Sequence, residues 1–366
     1  MGPFPHEAPQ GAITPHNPMG TDGMEFIEFA HPEPAKLCAL FETMGFSAVA
    51  RHRSKKVTLY RQGNVNYVVN EEPDSFAARF ALEHGPCVCA MAFRVVDAKF
   101  AYDRAISMGC EPGETRVGPM ELNIPAIKGI GGSLIYFVDR YADKGSIWDV
   151  DFIWLGEKNP APEGVGLYYI DHLTHNVIRG RMDFWSEWYE RLFNFKEIRY
   201  FDIEGKLTGL HSRAMTSPCL KIRIPINESA DDKSQIEEYL REYKGEGIQH
   251  IACGCRDVHA SVEKLRANGL PFMPKPPQTY FEMIDARVPG HGEDVSRLAA
   301  NGILIDGEGV VDGAETKVLL QIFSGTVLGP VFFEFIQRKG DEGFGEGNFR
   351  ALFESIEEDQ IRRGVI

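Results

Sequence analysis

The chain has 366 residues, of which 43% are hydrophobic and 25% are charged, a composition typical of globular proteins. Its 39 basic and 53 acidic residues give a formal charge of −14, which argues against general binding to nucleic acid or anionic membranes. Because single cores seldom grow beyond about 250–300 residues, this length predicts two domains.

The N-terminal segment and the cysteines indicate the compartment. Residues 1–23 are rich in Pro, Gly and polar residues and lack the features of a signal peptide, so we expect a mobile tail. No run reaches the roughly 18 apolar residues that a membrane span needs. The seven cysteines include two C-x-C pairs in apolar stretches, which favours reduced, buried thiols over disulfides or a zinc site. We therefore expect a cytoplasmic protein.

Two similar units follow one another in the first half of the chain. Each opens with an apolar strand, continues into an amphipathic helix that ends near a glycine, and closes with further strands. The predicted opening strands are 24–30 and 88–97, and the predicted helices are 35–45 and 101–109.

Two further units of the same kind make up the second half. Their opening strands are predicted at 168–177 and 247–257, and their helices at 182–193 and 258–269. Four such units predict an α+β fold of βαβββ modules, paired into two domains with curved, mostly antiparallel sheets.

The domain boundary is predicted in a loop rich in Gly and Pro, residues 156–166, which lies between apolar segments. We therefore expect an N-terminal paired-module domain over 24–156 and a C-terminal domain over 165–366.

The stretch 168–177 reads YYIDHLTHNV and contains two histidines three residues apart. On a helix both would lie on one face, but its β-branched and aromatic residues favour a strand, on which they face opposite sides. Strict alternation places His172 on the face of Ile170, and His175 on the face of Asp171. At most one of the two histidines therefore points at a given site.

Superposition of the units predicts a site in the second half. Two histidines and a glutamate occupy strand positions where the first half carries apolar or phenolic residues. The corresponding residues are His172, His250 and Glu334 in the second half, and Phe26, Ala90 and Tyr136 in the first.

Two imidazoles and a carboxylate on three strands are the ligand set of a facial triad, which suits non-haem Fe(II). Zinc with the same ligands is chemically possible and would favour hydrolysis. A lone strand histidine is more often a packed, hydrogen-bonded residue, whereas a carboxylate such as Glu334 in an apolar strand is costly unless paired or metal-bound. We predict a metal site formed by His172, His250 and Glu334. For His175 we predict either a role in supporting the ligands or a structural role.

Long motifs in both halves resemble the 4-hydroxyphenylpyruvate dioxygenase family, particularly its bacterial members. The motifs are RQGNVNYVVNEEP, GPMELNIPAIKGIGG, IDHLTHNV, GEGIQHIA and the segment 330–360, and the resemblance extends from about Met24 to the C-terminus. This family belongs to the vicinal-oxygen-chelate group, whose fold consists of paired βαβββ modules. The resemblance implies that His172, His250 and Glu334 bind Fe(II).

The resemblance also implies the residues of a substrate pocket. Gln249 and Gln321 would line the metal site, and Phe332 would flank the substrate ring; these three are the implied catalytic residues. The implied substrate-binding residues are Ser212, Asn227, Gln235, Phe323, Asn348, Phe349 and Phe353. Taken alone, several have simpler explanations: Gln235 fits a helix cap, Asn227 a turn, and Phe323 or Phe332 an ordinary core position.

The implied reaction converts 4-hydroxyphenylpyruvate and O₂ into homogentisate and CO₂ in tyrosine catabolism. It combines oxidative decarboxylation, ring hydroxylation and side-chain migration, and it needs no 2-oxoglutarate because the substrate is itself a 2-oxo acid. The resemblance further implies a homo-oligomer, a tetramer or a dimer, with no nucleic-acid or membrane partner.

Three alternatives remain open on the sequence. The first is 4-hydroxymandelate synthase, which uses the same substrate and iron but oxidises the benzylic carbon. The second is a metal-free binding protein of the same fold, and the third is a zinc or nickel lyase-type enzyme. The complete His, His and Glu set opposes the second alternative, and the aromatic pocket residues oppose the third.

The C-terminal segment is predicted to be a lid, and an ordinary packing helix is the alternative. A Gly-rich stretch, 340–347, precedes an amphipathic helix that begins near Asn348 and ends with basic residues, as the helix dipole favours. Deletion of residues 348–366 should therefore abolish turnover while the fold remains, because the site would stay open to water. Steady-state assays with circular dichroism test this prediction, and unchanged activity would contradict it.

Overall fold

The computed structural model describes residues 8–115, 117–118, 120–204, 209–308, 316–345, 347–348, 360–361 and 363–364. The strands within them are β1 Thr21–Ala30, β2 Ser47–His52, β3 Val57–Gln62, β4 Val65–Asn70, β5 Cys87–Val95, β6 Ala126–Lys128, β7 Leu134–Val138, β8 Phe152–Trp154, β9 Leu167–Val177, β10 Lys196–Glu204, β11 Gly209–Thr216, β12 Arg223–Ser229, β13 Gly247–Cys255, β14 Leu304–Glu308, β15 Lys317–Phe323 and β16 Phe332–Lys339. The helices are α1 Pro34–Thr43, α2 Phe76–His84, α3 Ala98–Ser107, α4 Trp148–Asp151, α5 Met182–Phe193, α6 Gln235–Tyr243, α7 Val258–Ala267, α8 Gln278–Glu282, α9 Ile284–Arg287 and α10 Val295–Asn301. Within this described part of the chain, no helix is long and apolar enough to cross a membrane.

The strands form two eight-stranded sheets in which seven strands follow the same order, and each sheet has one additional edge strand, β8 or β14. The first has the order β6-β7-β5-β1-β4-β3-β2-β8, and the second has the order β10-β11-β12-β9-β13-β16-β15-β14. At the centre of each sheet two opening strands pair antiparallel, β1 with β5 and β9 with β13. Each opening strand also pairs in parallel with the last strand of its own module. The predicted α+β fold of paired modules is confirmed.

Side-chain caps determine where several helices begin. Asp97 accepts a hydrogen bond from the backbone N–H of Phe100, so α3 begins at Ala98, three residues before the predicted start. Asp257 caps α7 in the same way. The α5 helix has the predicted bounds and ends where Asn194 adopts a left-handed conformation with φ 57°.

The structure corrects the predicted extent of the N-terminal tail. Asn17 and Met19 are buried, and β1 begins at Thr21, three residues before the predicted strand. The Asn17 side chain accepts from the Thr21 N–H and donates to the Thr21 carbonyl, both at 2.9 Å. This side chain therefore satisfies the backbone at the end of the strand and holds the chain against the sheet.

The helix-covered faces of the two sheets share one hydrophobic core. Phe29 and Tyr67 of the first sheet belong to the same buried cluster as Phe333 of the second, and the Tyr67 and Phe333 ring centroids are 6.2 Å apart. Phe93 of β5 contacts Phe193 of α5 edge-on at 5.5 Å. All seven cysteines are free thiols. Because this core anchors both sheets, the opposite face of each sheet is available for polar groups.

Gln62 ties the first sheet to the start of the second. Its Oε1 accepts hydrogen bonds from the backbone N–H groups of Val165, Gly166 and Leu167, at 2.7, 3.1 and 3.1 Å. Its Nε2 donates to the carbonyl of Met44 at 3.0 Å, and the side chain is fully buried. One amide side chain thus satisfies several backbone groups where the chain passes from the first sheet to the second.

Substitution Gln62→Met should lower the free energy of unfolding by about 2–4 kcal/mol, because it keeps the volume but leaves buried N–H groups without an acceptor. Urea denaturation measures this loss. The matched control Gln278→Met, at an exposed helix position, should change it by less than about 0.5 kcal/mol. Equal stability of the two variants would contradict the proposed tie.

Candidate metal centre

His172, His250 and Glu334 lie on β9, β13 and β16, three neighbouring strands at the centre of the second sheet. The Nε2 atoms of His172 and His250 are 3.2 and 3.4 Å from the same Glu334 carboxylate oxygen, and 3.4 Å from each other. All three side chains are buried, and their ligand atoms lie within 4.8 Å of one another. The structure thus brings the three predicted ligands to one point.

A β-bulge at Asp171 orients His172. In the β9–β13 ladder, His172 and Ile170 pair with successive residues of β13, so Asp171 is an extra residue on its strand. The Asp171 carboxylate therefore reaches the Nδ1–H of His172, at 2.8 Å. The placement from strict alternation was wrong at both positions: Ile170 packs into the shared core, and Asp171 joins His172 rather than His175.

A second bulge orients His250. Gln249 is the extra residue on β13, and its Oε1 accepts from the Nδ1–H of His250 at 3.0 Å. The Thr174 hydroxyl lies 2.9 Å from His250 Nε2. In both histidines Nδ1 carries the proton and donates it to an acceptor, which leaves Nε2 unprotonated and directed towards the centre. A metal requires this tautomer.

A buried ion pair supports the first ligand from behind. Arg338 donates to both oxygens of Asp171, each at 2.8 Å, and the Tyr169 hydroxyl donates to the same carboxylate at 2.9 Å. Burial alone would raise the pKa of Asp171, but Arg338 holds it well below the ordinary value. Asp171 therefore stays ionised and keeps His172 in the required orientation.

The three ligand side chains balance one another's charge. Burial would raise the pKa of Glu334, but the two histidines outweigh it and lower the pKa to about 2. Burial also opposes the charged form of His172, yet Glu334 and Asp171 raise its pKa, while burial lowers that of His250. A buried carboxylate that needs a positive partner lies beside two Nε2 atoms that face it. This arrangement fits a divalent cation in place of the proton.

His175 does not join this group. Its Nδ1 lies 3.2 Å from the Leu173 carbonyl, its ring is fully buried, and burial lowers its pKa to about 4. This neutral, packed imidazole agrees with the structural role expected for it.

Aromatic and amide side chains surround the ligands on the same face of the sheet. Phe332 stacks on the His250 ring with centroids 4.8 Å apart, and Phe323 lies edge-on to that ring at 6.4 Å. Phe323 pairs directly with Glu334, and Gln321, two residues earlier, shares its face. The Gln321 Oε1 is buried and has no hydrogen-bond partner among the described residues.

A row of small polar side chains crosses the sheet further along β9. Ser212 pairs with Asn227, and Asn227 pairs with Asn176, which shares the face of His172 by alternation. Asn227 donates to Asn176 at 3.3 Å, but Ser212 Oγ, Asn227 Oδ1 and Asn176 Nδ2 lack partners within the described part of the chain. Buried polar atoms without partners can form hydrogen bonds to the polar groups of a ligand.

A cavity of about 340 Å³ opens beside this face. Gln235, the first residue of α6, lines it together with Gln249 and Phe332. At its edge, Arg363 forms an ion pair with Glu238. Three of the predicted pocket residues therefore border one cavity.

The remaining predicted residues have different outcomes. Asn348 is buried and accepts a hydrogen bond from the Tyr280 hydroxyl at 2.7 Å, while its Nδ2 has no partner among the described residues. Phe349 and Phe353, and with them most of the predicted lid helix, lie outside the described residues.

Sequence reasoning missed three residues of the site: Asp171, Asn176 and Phe344, whose ring is 5.4 Å from that of His172. Asp171 had a usable signal, because it is an acidic residue in an apolar strand, like Glu334. Neither Asn176 nor Phe344 carried such a signal, since their positions depend on strand pairing and on a loop.

Comparison with known proteins identifies the family. The family profile described as "Hydroxyphenylpyruvate dioxygenase, HPPD, N-terminal" matches residues 16–153, and that of the "Glyoxalase/Bleomycin resistance protein/Dioxygenase superfamily" matches 169–291. A 4-hydroxyphenylpyruvate dioxygenase of Pseudomonas aeruginosa is 59% identical over 97% of this chain and 98% of its own length. The chain belongs to the 4-hydroxyphenylpyruvate dioxygenase family. The resemblance found in the sequence is confirmed.

Two other proteins are similar to this chain over nearly its whole length. Hemolysin VllY of Vibrio vulnificus is 62% identical over 96% of this chain and 98% of its own length. A solved structure of a xylose isomerase-like TIM barrel/4-hydroxyphenylpyruvate dioxygenase fusion protein has a TM-score of 0.77 and 33% identity. It covers 96% of this chain, which spans about half, 53%, of the fusion protein.

Asp171→Asn should weaken metal binding by about 10–100-fold, because the Asp171 carboxylate accepts from His172 Nδ1–H and so fixes its tautomer. Anaerobic titration of Fe(II) or Co(II) against a competing chelator measures the affinity. The control Asp232→Asn removes a carboxylate whose side chain is 92% exposed and should leave affinity unchanged. An unaltered affinity in folded Asp171→Asn would show that this hydrogen bond does not support the metal.

Proposed function

We propose that the protein is a non-haem Fe(II) dioxygenase that converts 4-hydroxyphenylpyruvate and O₂ into homogentisate and CO₂. The observation that carries this proposal is the buried His172, His250 and Glu334 cluster in a chain 57% and 59% identical to curated dioxygenases of this name. Two imidazoles and one carboxylate favour Fe(II) and leave coordination positions for other ligands.

The charges of the centre suit an anionic 2-oxo acid. Two neutral histidines and the ionised Glu334 reduce a divalent cation to a net charge of about +1, which one substrate carboxylate neutralises. Fe(II), when bound, supplies the O₂ chemistry that side chains lack. The protein's own task is to bind the substrate, orient it and exclude water.

The surrounding side chains suit the aromatic end of the substrate. Phe332 and Phe323 present an aromatic wall beside His250. The row of Ser212, Asn227 and Asn176 begins two residues beyond Thr174 on β9, about 7 Å along the strand. We infer that these polar atoms, with Gln235, bind the phenol hydroxyl, and that Gln321 and Gln249 line the metal side of the pocket. Phe349, Phe353 and Asn348 complete the proposed pocket.

We further propose a division of roles between the domains. The catalytic domain would comprise residues 165–366, and the domain over 24–156 would carry no metal. The cytoplasmic location and the homo-oligomer, a tetramer or a dimer, stay predictions.

Anaerobic reconstitution with Fe(II) tests the proposal. Addition of 4-hydroxyphenylpyruvate should give a weak visible charge-transfer band, which disappears on exposure to O₂ as homogentisate forms. His172→Ala, His250→Ala and Glu334→Ala should each lose iron, whereas the control His175→Ala should retain it because its ring lies apart from the ligand atoms.

Product analysis separates the alternatives. Formation of 4-hydroxymandelate would assign the chain to the benzylic oxidation instead. Absence of both the band and any product would overturn the iron dioxygenase proposal.

A further inference from the structure

The first sheet has a cavity on the face that corresponds to the metal centre of the second. It has a volume of about 260 Å³ and is lined by Phe26, Glu28, Tyr136 and Trp148, among other residues. Polar side chains at its edge include Lys55 and Arg79.

The strand registers show that the two positions are equivalent. Phe26 pairs with Ala92, which pairs with Tyr136, in the same arrangement in which His172, Ala252 and Glu334 are paired. One step along, Ala90 stands where His250 stands, and Glu28 stands where Thr174 stands. The first half therefore has two aromatic rings and an alanine at the three ligand positions, and a carboxylate, Glu28, at the position of Thr174.

Glu28 is a buried acid without an ion-pair partner. Its side chain is 6% exposed, and its Oε1 accepts from the Asn70 amide at 2.6 Å. The Tyr136 hydroxyl also bonds to this carboxylate. Among the described residues no Lys or Arg forms an ion pair with Glu28: Lys55, which is near enough to act on it, pairs with Glu121, and Arg79 pairs with Glu114. Burial raises the pKa of Glu28, so a cation that entered the cavity would relieve an electrostatic cost.

The walls beside Glu28 suit a ring and a positive charge. Phe26 lies 5.6 Å from Tyr136 and 5.6 Å from Trp148, measured between ring centroids. The Trp148 indole N–H is satisfied by Glu25, at 2.8 Å, which fixes the orientation of the ring. Aromatic faces near a carboxylate are the usual surroundings of a bound organic ammonium group.

The net charge of the cavity lining is negative, like that of Glu28. Among the acidic residues of the lining, Glu121, Glu114 and Asp151 are paired with Lys55, Arg79 and Arg53. Glu28, Glu72 and Asp74 remain, so the lining keeps an excess of negative charge. A cationic ligand is therefore favoured over an anionic one such as a 2-oxo acid.

We propose that this cavity binds a small aromatic amine, with its ammonium group on Glu28 and its ring among Phe26, Tyr136 and Trp148. The site is separate from the metal centre and does not depend on the proposed reaction.

Calorimetric titration of the full-length protein with 2-phenylethylamine tests the proposal. We expect saturable binding, and at least tenfold weaker binding of 2-phenylethanol, which has nearly the same size but no charge. Equal binding of the two compounds, or no saturable binding of the amine at millimolar concentration, would overturn the proposal. This comparison needs no variant and stands even where a substitution perturbs folding.

Two variants locate the bound amine. Glu28→Gln should weaken amine binding at least tenfold, while the matched control Glu83→Gln, at an exposed position of α2, should leave it unchanged. Glu334→Gln should retain amine binding because it alters only the metal centre. Loss of binding in Glu334→Gln, with retention in Glu28→Gln, would place the amine in the other site and overturn the proposal.

Discussion

The buried ion pair between Asp171 and Arg338 is the interaction on which the geometry of the candidate metal centre depends. Asp171 precedes His172 on β9, and Arg338 follows Glu334 by four residues on β16, so the pair spans β13 between them. Both contacts of the bidentate pair are 2.8 Å, in a region that excludes water. This ion pair therefore orients His172 and fixes the position of β9 relative to β16.

The first half of the chain has the same strand pairing around the equivalent position, but different side chains occupy it. Glu25 is the extra residue of a bulge in β1, at the place that Asp171 takes in β9. Arg94 and Trp148 donate to the Glu25 carboxylate, at 2.6 and 2.8 Å. A bulged acid held by a basic residue thus recurs in both sheets, whereas among the described residues the candidate metal ligands lie in the second sheet.

The shared core allows polar groups to be buried on the remaining faces. The two helix-covered sheet faces pack into one cluster and stabilise the fold. On the other face, polar atoms of Ser212, Asn227 and Gln321 have no hydrogen-bond partner in the part of the chain that the structure describes, which costs stability. Buried polar atoms that lack partners and so cost stability are expected at a functional site.

The sequence by itself determined the modules, the α5 helix and the set of His172, His250 and Glu334. The periodicities that reveal helices and strands are local properties of the sequence. Superposition of the repeats shows which residues occupy equivalent strand positions, so neither step requires knowledge of which strands pair. Only the tertiary structure decided that Asp171 joins His172 and that Asn176 lies beside Asn227. A bulge and a cross-strand row depend on the register between strands distant in sequence, which a two-residue alternation within one strand cannot express.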